Sequence, residues 1–335
     1  MNAHRFVSGI VLIAASATFL TVPLLAAEAT PPAPILDGNR ADPDLRVFGD
    51  TYYIYPTSDK LNWQTTDFST WSSKDLIHWK NEGVILNVAR DLSWANIKAW
   101  APTAIARNGQ YYFYFVANEQ IGVAMADQPT GPFKDALGKP LISRRQFNTF
   151  PIDPFAFTDT DGQSFLYFGN GHLLVAKLGT NMISLDGSPV DITPKDRAQP
   201  FREGIVAFKR QGLYYFMWSV DDARSDNYRV AYGMAKSPYG PIEIPTNNVV
   251  LAKHGVAKGT GHNGIVNVPS TDRWYVCYHR HAIPNGNGYT REVCLARMAF
   301  NADGTIRPMD PLVPAFPPGS MGEPLVAGKG AFAPR

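Results

Sequence analysis

Three carboxylic acids and one histidine recur at one place in a repeating pattern. Asp42 lies in Ala41-Asp42-Pro43, Asp153 in Ile152-Asp153-Pro154, Glu203 in Arg202-Glu203-Gly204 and His262 in Gly261-His262-Asn263. Ala101, in Trp100-Ala101-Pro102, holds the same place in a further copy. Each stands just ahead of a short apolar run. A structural repeat does not call for acids there, because an unpaired carboxylate is costly to bury. Acids brought together repel one another, so at least one pKa must rise. That splitting supplies a general acid and a general base at the same pH. Two carboxyls about 6.5–9.5 Å apart leave room for a water, which is the arrangement of an inverting glycosidase. His262 adds a metal ligand, a hydrogen-bond donor or a polar plug.

What must position these groups is a repeated unit of polar lip, short strand, two-residue turn and second strand. The turns fall at Gly49-Asp50, Asn108-Gly109, Asp161-Gly162 and Gln211-Gly212, and aromatic-rich second strands follow each. Third strands are expected over 121–126, 172–177, 229–235 and 292–300. A tight turn and an edge strand are expected after Lys74 in the first unit. The units run to about Arg90, Ser143, Pro200 and His254, with a fifth after that. A period of roughly fifty residues, about four strands per unit and almost no helical periodicity point to an all-β, five-bladed β-propeller over 35–335. The strands of a β-sandwich would not share such a period. Radial repetition places the first strand of each blade around a central channel. Asp42, Asp153 and Glu203, far apart in sequence, would then converge at one mouth. The Pro- and Gly-rich tail from Met309 is expected to wrap the surface.

The 335-residue chain carries a formal net charge of +2 with no basic run, so nothing argues for nucleic acid. His4-Arg5 precedes an apolar run from Phe6 to about Ala27, which reads as a signal peptide over 1–29 cleaved near Ala27 or Ala29. Ser8, Ser16, Thr18 and Pro23 interrupt the run and weigh against a membrane anchor. The mature chain is therefore expected in the periplasm or outside the cell, free of the membrane. Cys277 and Cys294 fall in two arms of one hairpin; a disulfide and two buried thiols both remain open. A metal site built on them lacks any CxxC spacing.

At these residues the sequence resembles glycoside hydrolase family 43 over essentially the whole mature chain. The matching elements are Ala41-Asp42-Pro43 with the following Tyr-Tyr-Ile-Tyr-Pro-Thr, the stretch Trp71 to Trp79, Trp100-Ala101-Pro102, Ile152-Asp153-Pro154-Phe155, Glu203-Gly204 and Gly261-His262. The resemblance implies a propeller that hydrolyses glycosides with inversion. By it, Asp42 is the general base, Glu203 the general acid, and Asp153 the residue that raises and orients that acid. His262 matches a residue that in many members approaches a calcium or sodium ion, directly or through water. No cofactor is implied for the chemistry itself. One ligand cannot hold calcium, which takes six to eight oxygens, so water would supply the rest. Residues 72–86, Ser93-Trp94 and Trp100 look most like the exo-acting α-L-arabinofuranosidases that trim arabinan, with β-xylosidase as the alternative. The implied partner is a plant cell-wall oligo- or polysaccharide, and the implied state is a monomer.

Plainer readings stand beside these. Asp-Pro also starts ordinary turns, as at Asp310-Pro311, to which no role is given. Trp100 borders the channel and stacks on a sugar, or fills an inter-blade core. Trp63 and Trp94 form subsite walls, or fold onto cores. Arg291, after the Gly-rich loop 285–289, is a candidate for binding sugar hydroxyls, and His262 is a second. Arg202 is either the salt partner of Glu203 or a surface charge. His279 and His281 read as structural, and Asp221, Asp222 and Asp226 as a solvated loop. A non-catalytic carbohydrate-binding propeller would lack one of the three acids, and all are present.

Overall fold

The computed structural model describes Met1 and residues 30–325; the expected signal segment and the last ten residues lie outside that range. Five antiparallel sheets follow one another in chain order. Blade I holds β1 (Arg40–Phe48), β2 (Thr51–Ser58), β3 (Asp67–Ser73) and β4 (Trp79–Asn87). Blade II holds β5 (Trp100–Arg107), β6 (Gln110–Ala117), β7 (Gln120–Ala126) and β8 (Lys134–Asp135). Blade III holds β9 (Phe155–Thr158), β10 (Ser164–Phe168), β11 (Leu174–Leu178) and β12 (Leu185–Asp191). Blade IV holds β13 (Glu203–Arg210), β14 (Leu213–Val220), β15 (Arg229–Ala235) and β16 (Val249–Leu251). Blade V holds β17 (Gly261–Asn267), β18 (Trp274–His281) and β19 (Arg291–Met298). Among the described residues two short helical turns interrupt the strands, a 3-10 turn at Leu61–Trp63 and α1 (Val88–Asp91), which the side chain of Asn87 caps.

The innermost strands touch in a closed ring: β1 packs on β5, β5 on β9, β9 on β13, β13 on β17 and β17 back on β1. The all-β, five-bladed propeller expected from the repeat is what the chain forms. The second strand of each blade is covered on both faces by neighbouring blades, so it is buried along most of its length rather than alternating. All eight residues of β18 are buried, as are seven of the eight in β14. The outer strands β4 and β12 are mostly exposed and polar. At Asn108-Gly109 and Gln211-Gly212 both turn residues have positive φ, the geometry whose twist matches the flanking strands.

The ring is closed by the ends of the chain. Ile35 N–H donates to Val293 O at 2.8 Å, so the N-terminal segment runs along β19, and Leu36 enters the same core. From Met309, bonded to Val250 O, the tail passes over blade V. There Phe316 stacks on Tyr275 and Glu323 accepts from the Tyr275 hydroxyl. It reaches blade I at Asp75 and Lys74. Cys277 and Cys294 are both free and buried. In the β18–β19 register Cys277 faces Leu295 and Cys294 faces Tyr278. The two thiols therefore point to opposite faces of the sheet, into different cores, and cannot bond.

Candidate active site

Four of the five innermost strands open with a bulge at the same mouth of the channel; β9 begins without one, just after Asp153. In β1 the pairing skips from Ala41–Thr57 to Asp44–Tyr55, and β5, β13 and β17 show the same kind of skip. One residue at the head of each innermost strand takes positive φ: Asp42 (48°), Ala101 (39°), Asp153 (54°), Gly204 (65°) and His262 (36°). At Asp42, Asp153 and His262 the left-handed turn aims the side chain into the cavity. It costs a non-glycine residue about 1–2 kcal/mol, which the surrounding sheet must hold.

This corrects the sequence alignment at one point. In blade IV the left-handed residue is Gly204, not Glu203. Glu203 pairs with Ser219 just before the skip, which is where Trp100 stands in blade II and Ala41 in blade I. Glu203 therefore enters the site one residue early and by a different route. Two glycines make room for it. A side chain on Gly204 would meet the His262 ring at 3.0 Å, and one on Gly261 would meet the Tyr228 ring at 2.2 Å. With Gly261 bare, Tyr228 lies close and its hydroxyl donates to Glu203 Oε1 at 3.0 Å. Asn170 Nδ2 donates to Glu203 Oε2 at 2.7 Å.

Asp42 sits in the opposite setting. Arg291 Nη1 donates to Asp42 Oδ1 at 2.9 Å, and Nη2 lies 3.4 Å from Oδ2. Arg291 is itself held by Asp59, which accepts from its backbone N–H, its Nε and its Nη2 at 2.7–3.0 Å. His262 Nδ1 lies 3.2 Å from Asp42 Oδ1 and 3.7 Å from Asp153 Oδ2, so one imidazole bridges two carboxyls. His279 Nδ1 is 3.2 Å from both Asp42 Oδ1 and the Asp42 backbone nitrogen. Asp153 Oδ2 accepts the Gly204 N–H at 2.9 Å, tying blade III to the bulge that carries Glu203.

These environments push the proton affinities apart. Burial would raise Asp42, but the Arg291 and His262 charges outweigh it and hold the carboxyl well below its usual range. Burial lifts Asp153 to about 7, helped by the charges of Glu203 and Asp42 and opposed by His262. Burial also raises Glu203, against the pull of His262, Tyr228 and Arg202. Burial would lower His262, but Asp153 and Asp42 carry it up to about 9, so it is a cation at neutral pH. Burial and the Arg291 charge drive His279 down to about 3, so it is neutral. One mouth thus holds an ionised carboxylate facing carboxyls that favour their protons. That is what acid–base cleavage by an attacking water requires.

The acids line a cavity of about 390 Å³ with Trp63, Trp100, Arg202, Arg224 and others. Trp100 Nε1 donates to Trp63 O, and Trp63 Nε1 donates to Gly288 O, so the Trp63 loop bridges blades I, II and V as a wall. Trp94 is not brought to the site. It packs on Phe115 and donates to Asp135 in blade II. The guanidinium of Arg291 reaches the cavity but is engaged by two carboxylates rather than left open for sugar hydroxyls. Asp222, expected in a solvated loop, lines the cavity and pairs with Arg224. Among the described residues no cluster of three or more His, Cys, Asp and Glu is placed to hold a metal ion. The His262 nitrogen that faces other donors faces carboxylates already engaged as its ion partners. These residues do not make a protein cage for a cation.

Four site residues escaped the sequence reading: Asp59, Asn170, Tyr228 and His279. The His279 and His281 alternation was visible, but which face of β18 looks onto Asp42 is set by the β17–β18 register. The other three reach the acids from loops and strands with no repeated motif.

The fold and this mouth define the class: a five-bladed propeller glycosidase. The sequence signature of Glycosyl hydrolases family 43 matches residues 31–306. The chain belongs to that family and is a glycoside hydrolase. It is 35% identical over 292 residues to the beta-D-galactofuranosidase of Aspergillus niger, covering 83% of this chain and 84% of that one. It is 27% identical to a xylosidase/arabinosidase of Bacteroides ovatus, covering 79% and 93%. The crystal structure of the GH43_1 enzyme from Xanthomonas citri complexed with xylose superposes with a TM-score of 0.73 at 30% identity, covering 84% and 93%.

Proposed function

We propose that the protein is an exported, inverting, exo-acting glycosidase that removes terminal α-L-arabinofuranosyl residues from arabinan or arabino-oligosaccharides. The observation that carries the hydrolytic part of this reading is the split among the acids; the arabinofuranosyl part rests on the sequence resemblance. Asp42 is held ionised by Arg291, while burial keeps Glu203 and Asp153 towards their protonated forms. In the proposed reaction Asp42 takes a proton from a water, which attacks the anomeric carbon from one face. Glu203 donates its proton to the departing glycosidic oxygen on the other face. Asp153 anchors the Gly204 bulge and so orients Glu203. The Trp63 wall favours a pocket that accepts a chain end over a groove open on both sides. An ion near His262, if the protein binds one, would be held largely through water. Export is supported by the apolar run ahead of residue 30 and by a folded body that is tied down from Pro32, whose carbonyl accepts from Arg280 at 2.7 Å. N-terminal sequencing of the protein from the extracellular or periplasmic fraction tests it.

A second reading is favoured by the relatives: β-D-xylosidase or galactofuranosidase activity at the same centre. The deciding experiment is a panel of nitrophenyl α-L-arabinofuranoside, β-D-xyloside and β-D-galactofuranoside with linear arabinan. The anomeric configuration of the first product is followed by NMR. The proposal expects the arabinofuranoside to be turned over best, with an inverted product. A retained anomeric configuration would sink the mechanism, and a clear preference for another sugar would sink the substrate.

A further inference from the structure

The cavity mouth carries more positive charge than its own pairs use. On the blade II side, Lys98 and Arg144 share the single carboxylate of Glu119. On the blade IV side, Arg224 binds Asp222 through Nε and Nη2, each at 2.7 Å, and Arg202 approaches the same carboxylate only to 3.7 Å. Lys98, Arg202 and Arg224 line the cavity against Glu119 and Asp222, and Glu119 is shared with Arg144 outside the lining. The floor has no such surplus, because Asp42 and Asp59 together take the charge of Arg291. Arg202 is the group with capacity to spare. Its side chain is 46% exposed, it lines the cavity, and among the described residues its guanidinium makes no hydrogen bond to a protein group. It directly precedes Glu203, so it stands beside the acid that would meet the departing oxygen. A planar guanidinium with open donors matches a carboxylate bidentately, a better fit than a sugar hydroxyl offers.

We propose that the mouth is built for a substrate whose departing part carries a hexuronate carboxylate next to the cleaved bond, with Arg202 as the side chain that takes it. The inference rests on the reading of Glu203 as the acid, which fixes the departing side. Trp63 also lines the cavity, and its indole packs against Arg224 at 5.7 Å and Tyr289 at 4.8 Å, which fixes the wall beside the proposed uronate site. The carboxylate could come from a glucuronate on a xylan backbone or from a galacturonate in pectin. The chemistry at Arg202 is the same for both.

The test uses oligosaccharides carrying the terminal sugar that the nitrophenyl panel selects. One member is neutral, one bears a glucuronate beside the scissile bond and one bears a galacturonate there. The ratio of kcat/KM for a uronate member over the neutral member is expected to be roughly five-fold, as for a charge-assisted pair that stays partly hydrated, and to shrink as salt is added. Arg202→Gln should bring the ratio to near one. Asp222→Asn, which leaves two rim cations uncompensated, should raise it. Those two opposite movements separate substrate recognition from a loss of fold. A ratio near one in the unmodified enzyme for both uronates, with good turnover of the neutral member, overturns the proposal and leaves the glycosidase reading standing. No turnover of any member or of the panel would sink that reading and this inference with it. Which uronate gives the larger ratio names the source.

Discussion

Asp42 and Asp44 stand two residues apart on β1, both are buried, and each is paired with an arginine, yet they serve opposite ends of the channel. Asp44 lies past the bulge, on regular strand. Arg46 Nε grips both its oxygens at 2.8–2.9 Å, and the Ala104 N–H fills a remaining lone pair at 2.8 Å. Arg46 in turn donates to Thr103 Oγ1 and Ala156 O and lies over the Phe155 ring. Both oxygens of Asp44 are satisfied by the protein, and the mouth beyond is apolar, lined by residues such as Phe157, Phe208 and Ile265. Asp42 lies inside the bulge at φ 48°, facing a cavity, with a guanidinium on one side and an imidazolium on the other. The same residue pair thus makes a structural clasp where the strand is regular, and a cavity-facing carboxylate held ionised where the backbone is turned left-handed.

The contrast is open to test. The largest effects should fall on turnover at the open mouth. Asp42→Asn and Glu203→Gln should each lower kcat on oligosaccharide by about 10²–10⁴-fold, Glu203→Gln with the melting transition little changed. Glu203→Gln should lose less on nitrophenyl substrates, whose leaving group needs little protonation. Equal losses on both substrates would argue against Glu203 as the proton donor. At the closed mouth the sign of the trade reverses. Asp44→Asn strands Arg46 in a buried site and should cost roughly 3–5 kcal/mol in denaturant unfolding, while activity per folded molecule holds. If Asp44→Asn instead abolished turnover in well-folded protein, the division between the two mouths would fail.

Smaller effects sharpen the same comparison. His262 has a folded pKa of about 9, above its ordinary 6.5. A raised histidine contributes stability that is fully present below pH 6.5 and lost as pH climbs through 9. Asp153, raised to about 7, costs stability as pH rises from its ordinary value to 7, so the window from 7 to 9 reports His262. Melting temperature should fall across that window by the equivalent of about 1–3 kcal/mol, and His262→Asn should flatten the slope. Arg291→Gln removes the charge that depresses Asp42, so the acidic limb of kcat/KM should move up by about one pH unit. An unmoved limb would mean that Arg291 does not set the state of Asp42. Smallest of all, reducing agent should leave the melting temperature unchanged, since Cys277 and Cys294 face different cores.

Much of the fold was legible because it is written locally and repeatedly. Turn dipeptides such as Asn108-Gly109 and apolar second strands such as residues 213–220 declare themselves without a partner. Five rounds of the same pattern leave few architectures able to satisfy them. The meeting of Asp42, Asp153 and His262 followed from the same repeat. Glu203 was recognised as a member of the set but placed one residue out, because a bulge is a matter of pairing and Glu203-Gly204 reads like Ala41-Asp42 or Asp42-Pro43 equally well.

From its own residues the chain determines a ring of strands with acids at one lip, because turn chemistry and apolar periodicity act over a few neighbours. Only the tertiary structure decided which acid keeps its proton. That depends on Arg291, 249 positions from Asp42, on Asp59 behind it, and on Tyr228 and Asn170 around Glu203. Such through-space fields and depths of burial arise only when the ring closes, and no spacing in the sequence records them.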